Sequence, residues 1–216
     1  RQVVPLPDGV GFEQGAMVEP LAVGLHAVTK ADLPLGARVL VIGAGPIGLS
    51  VTAFARLRGA GRVVVSERAP ARRAAAEAFG ASTVLDPSAT AELGAAFAAA
   101  AGGPPDVIFD CVGAPGILQS AIDLSRPKGT VVVVGVCMKP DAIVPIAAIL
   151  KELRLQFVLG YVQEDFATVL ALLGDGRLPG AEAMVTDRVT LDALPDAFEA
   201  LRQPGGQIKV MVTPNA

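Results

Sequence analysis

The stretch Val39-Leu40-Val41-Ile42-Gly43-Ala44-Gly45-Pro46-Ile47-Gly48 decides the fold. An apolar, β-branched run leads straight into a complete G-x-G-x-x-G, and Ile47, Val51 and Phe54 then fall on one helical face. Strand, glycine turn and helix in this order make a phosphate-binding unit. Gly43 permits the tight turn, Gly45 lets a pyrophosphate reach the backbone, and Gly48 lets the helix lie close on the strand. The helix N-terminus adds oriented N–H donors. Glu67 follows about twenty residues after Gly48, at the end of a second apolar run, where a carboxylate accepts hydrogen bonds from an adenosine ribose. The glycines alone are weakly specific. With strand, helix and acid at these spacings they specify a bound dinucleotide.

Outward from this turn the chain keeps one rhythm. Short apolar runs at 38–42, 62–66, 83–85, 107–110, 130–134 and 155–159 read as strands. Helical stretches are expected between them at 46–58, 70–79, 91–101, 116–124 and 146–150. Strands that are apolar throughout, such as Val131-Val132-Val133-Val134, suit a parallel sheet covered on both faces. The expected fold is α/β, a doubly wound Rossmann sheet of six parallel strands with right-handed crossovers. Two flanks stand outside the alternation. Before it, Pro20 is expected to open a helix running to about residue 29. After it come a helix at 164–173, a turn across 174–180 marked by Gly174, Gly176, Pro179 and Gly180, a strand at 184–188, a helix at 191–201 and a strand at 208–212.

Composition narrows the function. With 52% hydrophobic and 18% charged residues, the 216-residue chain can bury a large core and is not a disordered one. At about 150 residues per domain this length is one and a half domains, an awkward fraction. A net charge of −3, scattered basic residues and 4% aromatics leave no footprint for nucleic acid or an anionic membrane. The apolar run 142–150 contains Pro145 and is far too short for a membrane span. The Pro-containing start does not read as a signal peptide, and the absent initiator Met points to residues upstream. Cys111 and Cys137 are the only cysteines, which excludes a disulfide scaffold and fits a reducing, cytoplasmic setting.

The dinucleotide is read as nicotinamide. Flavoproteins share V-I-G-A-G-P-x-G-L, but Thr52 stands where they usually carry a small residue, and the later segments lack flavin signatures. Glu67 would repel a 2′-phosphate and favours NAD, whereas Arg68 and Arg72 are near enough to bind one, so NADP stays open.

The order of segments resembles a known family. Val18-Glu19-Pro20-Leu21-Ala22-Val23-Gly24-Leu25-His26 precedes the glycine turn; Ser66-Glu67-Arg68-Ala69-Pro70-Ala71-Arg72, Asp110-Cys111-Val112-Gly113, Gly129 to Val136, Lys151 to Tyr161 and Ile208-Lys209-Val210 follow it. Together these resemble the zinc-containing medium-chain alcohol dehydrogenases, nearest the sorbitol and 2,3-butanediol dehydrogenase branches. The resemblance implies a hydride transfer between a secondary alcohol and a nicotinamide ring, with zinc stabilising the alkoxide. It places Gly43, Gly45, Pro46, Ile47 and Gly48 under the pyrophosphate, and Glu67 and Arg72 on the ribose. Cys111, Val112, Val134, Gly135 and Val136 would line the nicotinamide side with Val158, Leu159 and Gly160, and Glu19 would serve the metal. It further implies a homo-oligomer, a dimer or tetramer paired along the sixth strand.

The other zinc ligands of such enzymes lie on an N-terminal GroES-like catalytic domain that these residues do not contain. The expected organisation is therefore a catalytic-domain remnant at 1–23, the NAD(P) domain at 24–160, and a return segment at 161–216. No catalytic residue is assigned within the chain itself. A nucleotide-binding module without catalysis, or a zinc-free quinone or enoyl reductase, remain the alternatives; Glu19 before Pro20 argues against the latter. His26, the only histidine, is read as packing or a cofactor-side contact rather than a general base, and Arg72 stays open between a ribose contact and a solvated helix face.

Overall fold

The computed structural model describes residues 3–178, 180–202 and 205–214. Two helices lead, α1 (Phe12–Ala16) and α2 (Val18–Lys30). The alternation follows as β1 (Arg38–Ile42), α3 (Pro46–Leu57), β2 (Arg62–Ser66), α4 (Pro70–Ala78), β3 (Thr83–Leu85), α5 (Leu93–Ala101) and β4 (Val107–Asp110). Then come α6 (Ile117–Leu124), β5 (Thr130–Val133), α7 (Pro145–Leu150) and β6 (Arg154–Phe157). The return segment holds α8 (Gln163–Gly174), a 3₁₀ turn (Ala181–Met184), β7 (Val185–Val189), α9 (Leu194–Ala200) and β8 (Lys209–Val212).

Six strands form one sheet in the order β3-β2-β1-β4-β5-β6, every pairing parallel. This is the doubly wound α/β sheet expected. The alternating side chains of the apolar strands build two layers of core. Val39 and Val41 pack with Val63, Val65, Val107 and Phe109 beneath α2, α3 and α8, which contribute Leu21, Phe54 and Leu170. Leu40 and Ile42 point to the other face, onto Val64, Ile108, Phe97 of α5 and Ala121 of α6. A strand buried on both sides has no polar face to show, which is why these runs carry no alternation in sequence.

The boundaries moved where backbone pairing, not residue type, decides them. The sixth strand ends at Phe157 rather than 159, although Val158 still donates its N–H to the Val133 carbonyl at 3.1 Å. α2 starts at Val18, two residues before Pro20. Proline is tolerated there because the first four N–H groups of a helix have no partner within it. The turn after α8 contains Gly176 and Gly180 at φ +65° and +83°; Pro179 lies outside the described residues.

α2 is seated unusually close to α3. A Cβ on Gly24 would stand 2.4 Å from Ser50 Cβ and 2.8 Å from its carbonyl carbon, so only glycine admits this approach. On its other side α2 meets α8 through His26 and Asp165, both buried, whose Nδ1 and Oδ2 are 2.7 Å apart. The same carboxylate oxygen accepts the Val162 N–H at 3.0 Å. His26 is thus a packing residue between helices. The expected boundary at residue 24 falls inside α2. β7 and β8 form a separate two-stranded parallel sheet, tied to α1 by Arg188 and Glu13 at 2.5 Å. Among the described residues, no helix is long and apolar enough to cross a membrane.

Candidate dinucleotide site

The site lies where the sheet order reverses, between β1 and β4, the place at which doubly wound sheets open a crevice. Its floor is the glycine turn. Gly43 has φ +95°, a conformation that favours glycine, and a Cβ there would sit 2.9 Å from Val112 Cγ2. A Cβ on Gly48 would fall 1.9 Å from the Gly43 carbonyl oxygen, so α3 reaches the strand only because residue 48 has no side chain. Gly45 faces open space, with nothing within 4 Å of where its Cβ would be. It caps α3 without a side-chain hydrogen bond, and Pro46 follows as the first helical residue. The amides of Ile47 and Gly48 have no acceptor one turn back within the helix. An uncovered helix N-terminus over a clear glycine is a seat for a phosphate pair. The residues present fit a dinucleotide.

Beyond the turn opens a cleft of about 470 Å³, lined among others by Glu67, Arg68, Arg72, Val112, Ile117 and Ser120. Glu67 occupies the expected place, but its oxygens already hold backbone. Oε2 accepts the Ala44 N–H at 2.7 Å and Oε1 the Ala69 N–H at 2.8 Å. A carboxylate has about four lone-pair directions, so each oxygen keeps one for a ribose hydroxyl. Arg72, expected on the ribose, lines the cleft while donating Nε and Nη2 to the Gln207 carbonyl at 3.2 and 3.0 Å. Arg73 turns to Asp86 at 2.9 Å and to the carbonyls of Glu67 and Arg68.

At the ends of β4 and β5, Cys111, Val112, Val134, Gly135 and Val136 come together as two adjoining turns, and Val112 reaches the cleft that Glu67 lines. Val112 and Val136 are 48% and 67% exposed, an apolar wall left open beside the phosphate seat. Val158, Leu159 and Gly160 follow β6, the neighbour of β5, on the same side. Burial, with the Asp110 carboxylate beside it, pushes the Cys111 thiol well above the ordinary range, which argues against a thiolate nucleophile. One residue of this wall was not anticipated: Asp110, whose carboxylate accepts two backbone amides. An acid closing an apolar strand ahead of a glycine turn is its only sequence signal.

Zinc does not fit these residues by themselves. A protein zinc site takes three or four side-chain ligands, and among the described residues no three His, Cys, Asp or Glu side chains converge. Glu19 stands exposed on the first turn of α2.

Residues 46–175 match the zinc-binding dehydrogenase family, more than half of the chain. The chain belongs to this family. This zinc-binding dehydrogenase chain is 37% identical over 211 residues to (R,R)-butanediol dehydrogenase of Bacillus subtilis (strain 168), covering 97% of itself and 60% of that protein. It is 32% identical over 209 residues to sorbitol dehydrogenase of Gallus gallus, covering 96% of itself and 58% of the relative. A crystal structure of 2R,3R-butanediol dehydrogenase from Bacillus subtilis superposes with a TM-score of 0.88 at 37% identity, over 97% of this chain and 60% of that one. A Sinorhizobium meliloti 1021 structure, described as a zinc-binding dehydrogenase bound to NADP, gives 0.85 at 30% identity over 97% of this chain and 61% of its own. An Escherichia coli CFT073 alcohol dehydrogenase structure with NADH gives 0.89 at 25% identity, over 97% and 62%. The chain thus spans about 60% of the length of the proteins it matches.

Proposed function

We propose that this chain is the cofactor-binding part of an alcohol or polyol dehydrogenase that moves a hydride between a secondary alcohol and a nicotinamide ring. The observation that carries the reading is the glycine seat under the bare N-terminus of α3, beside the cleft that Glu67 and Val112 line together. The family membership and the butanediol and sorbitol dehydrogenase relatives support the reaction class. When bound, the nicotinamide supplies the hydride acceptor or donor. The protein's own contribution is placement. Gly43, Gly45, Pro46, Ile47 and Gly48 hold the pyrophosphate by backbone and dipole; Glu67 takes the ribose hydroxyls; Cys111, Val112, Val134, Gly135 and Val136, with 158–160, flank the ring.

NAD is favoured over NADP. Glu67 is fixed by two amides and cannot swing away from a 2′-phosphate, and Arg72 is engaged with the Gln207 carbonyl, whereas Arg68, exposed at the cleft, is the cation through which NADP would be held. Relatives with NADH and with NADP are both known among the matching structures, so titration decides. Glu19 is the one position at which this chain would face a metal whose other ligands come from outside these residues. The division at 24–160, flanked by parts of a catalytic domain, belongs to the same reading.

A homo-oligomer also belongs to it. β6 is a sheet edge, and Phe157 and Leu159 beside it are 63% and 87% exposed, the kind of edge that pairs with a second copy. Light scattering that finds monomers only at micromolar concentration would count against this.

The main test is calorimetric titration of the folded chain with NADH and NADPH, with NADH expected to bind more tightly. Failure of both to bind ends the cofactor reading. NADH binding without oxidation of any secondary alcohol by the intact protein would point instead to a nucleotide-binding module.

A further inference from the structure

Glu67, Arg68 and Pro87 line the cleft, and Arg73 of α4 stands behind them, outside it. Three successive carbonyls of the turn that leads into α4 end on this one residue. Its main-chain N–H donates to the Ala69 carbonyl at 3.0 Å, and its Nη1 donates to the carbonyls of Glu67, at 3.1 Å, and of Arg68. The same nitrogen lies 2.9 Å from Oδ2 of Asp86, the residue that follows β3. Asp86 is held in turn, since its Oδ1 accepts the Ser88 N–H at 2.9 Å. The Arg73 and Asp86 side chains are 25% and 28% exposed, so water screens this pair less than it screens one on the open surface. Glu67 itself is tied at every polar group: its N–H donates to the Leu85 carbonyl at 3.0 Å, its carbonyl accepts from Arg73, and its two carboxylate oxygens accept from Ala44 and Ala69. The Arg73–Asp86 pair thus joins two parts of the cleft lining, residues 67–68 and Pro87, at one point outside the cleft.

We propose that Arg73 is a positioning residue for the adenosine end of the cofactor. By gathering the carbonyls of residues 67–69 it sets the turn whose Ala69 N–H holds Glu67 Oε1, and so keeps the carboxylate in place for the ribose 2′-hydroxyl before the cofactor arrives. A turn set in advance avoids the cost of ordering it at the moment of binding. The inference rests on the cofactor reading above and goes beyond it by naming what holds Glu67 to its task.

The test compares NADH with its analogue lacking the adenosine 2′-hydroxyl, by calorimetric titration of the full chain and of Arg73→Met and Arg73→Lys. Methionine keeps an unbranched stem and removes every side-chain donor; lysine returns three donors on one nitrogen at a shorter reach. In the unaltered protein NADH should bind about tenfold more tightly than the analogue, the scale of one hydrogen bond to a carboxylate. Arg73→Met should bring that ratio below about threefold by weakening NADH, while the analogue stays within about twofold of its parental affinity. Arg73→Lys should give a ratio between those of the parent and the methionine variant. A merely structural role would weaken both ligands together and leave the ratio at its parental value, and that result overturns the inference. So does a lysine variant no better than methionine. If the parent binds NADH and the analogue equally, the inference falls while NADH binding keeps the cofactor reading. If neither ligand binds the folded parent, the cofactor reading itself falls and takes the inference with it. Nitrogen-15 spectra of the unaltered, cofactor-free protein are independent of whether a variant folds: the Arg73 Nη hydrogens should be resolved by hindered rotation, and a single averaged resonance overturns the clamp.

Discussion

Replacing Glu67 by glutamine exchanges one carboxylate oxygen for an NH₂ and keeps the shape. In the native site the two oxygens accept from Ala44 at 2.7 Å and from Ala69 at 2.8 Å. A glutamine can serve only one of them. Its oxygen will choose Ala44, which is buried, leaving its NH₂ facing the Ala69 N–H, donor against donor. Hydrogen bonds to a charged acceptor are worth about 1.5–3 kcal/mol, and Ala69 is half-exposed, so water recovers part of the loss; a destabilisation of about 1.5 kcal/mol follows. For a chain of this size that lowers Tm by roughly 3–6 °C. The turn carrying Ala69 loosens with it and one acceptor for the ribose hydroxyls is lost, so NADH affinity falls. Loss of the negative charge should meanwhile raise NADPH affinity relative to NADH. Urea denaturation followed by circular dichroism, with calorimetric titration of both cofactors, reads both effects. A variant within about 0.5 kcal/mol of the parent, the scatter of ordinary surface changes, with an unchanged cofactor preference, would refute the reasoning.

Gly24→Ala should cost about 1–3 kcal/mol in chemical denaturation, because the new methyl meets Ser50 backbone as well as its side chain. His26→Ala should cost roughly 3 kcal/mol by the same measurement, since it strips a buried carboxylate of its partner while Val162 remains as its other donor. Asp106 is buried enough to oppose its charge, but hydrogen bonds from Arg38 and Arg126 prevail and bring its pKa down from 3.8 to about 2. A group depressed in the folded state stabilises above its unfolded pKa, so this contribution, about 2 kcal/mol, is present above pH 4 and fades as pH falls through 2. Asp106→Asn should therefore be less stable than the parent at pH 6, with the gap closing towards pH 2 in urea titrations at each pH.

The sheet could be read from the sequence because parallel strands buried on both faces must be apolar at every position, as Val39 to Ile42 and Val131 to Val134 are. The glycine turn was equally legible, since a side chain at Gly48 would strike the Gly43 carbonyl and one at Gly45 would stand in the open space before α3. What stayed hidden depends on partners distant in the chain. Arg72 meets the Gln207 carbonyl, 135 residues away, and His26 meets Asp165, 139 away. Residue type said that Glu67 accepts hydrogen bonds; only the folded turns show that two backbone amides come first. Asp110 escaped notice because buried acids at strand ends resemble any turn-forming aspartate until the second turn is brought against the first.

α2 has a mechanical consequence. It runs unbroken from Val18 to Lys30, carries Glu19 on its first turn, and is pressed by Gly24 against α3, the helix that the glycine turn opens. A contact this close leaves no slack for sliding, and the His26–Asp165 pair pins its far flank. The position of Glu19 is thereby gauged from the glycine turn as though both were cut from one block. Any swing of the leading segment against the sheet must pivot before Val18, so substitutions at Met17 or in α1 should alter such a motion, whereas those within α2 should alter stability.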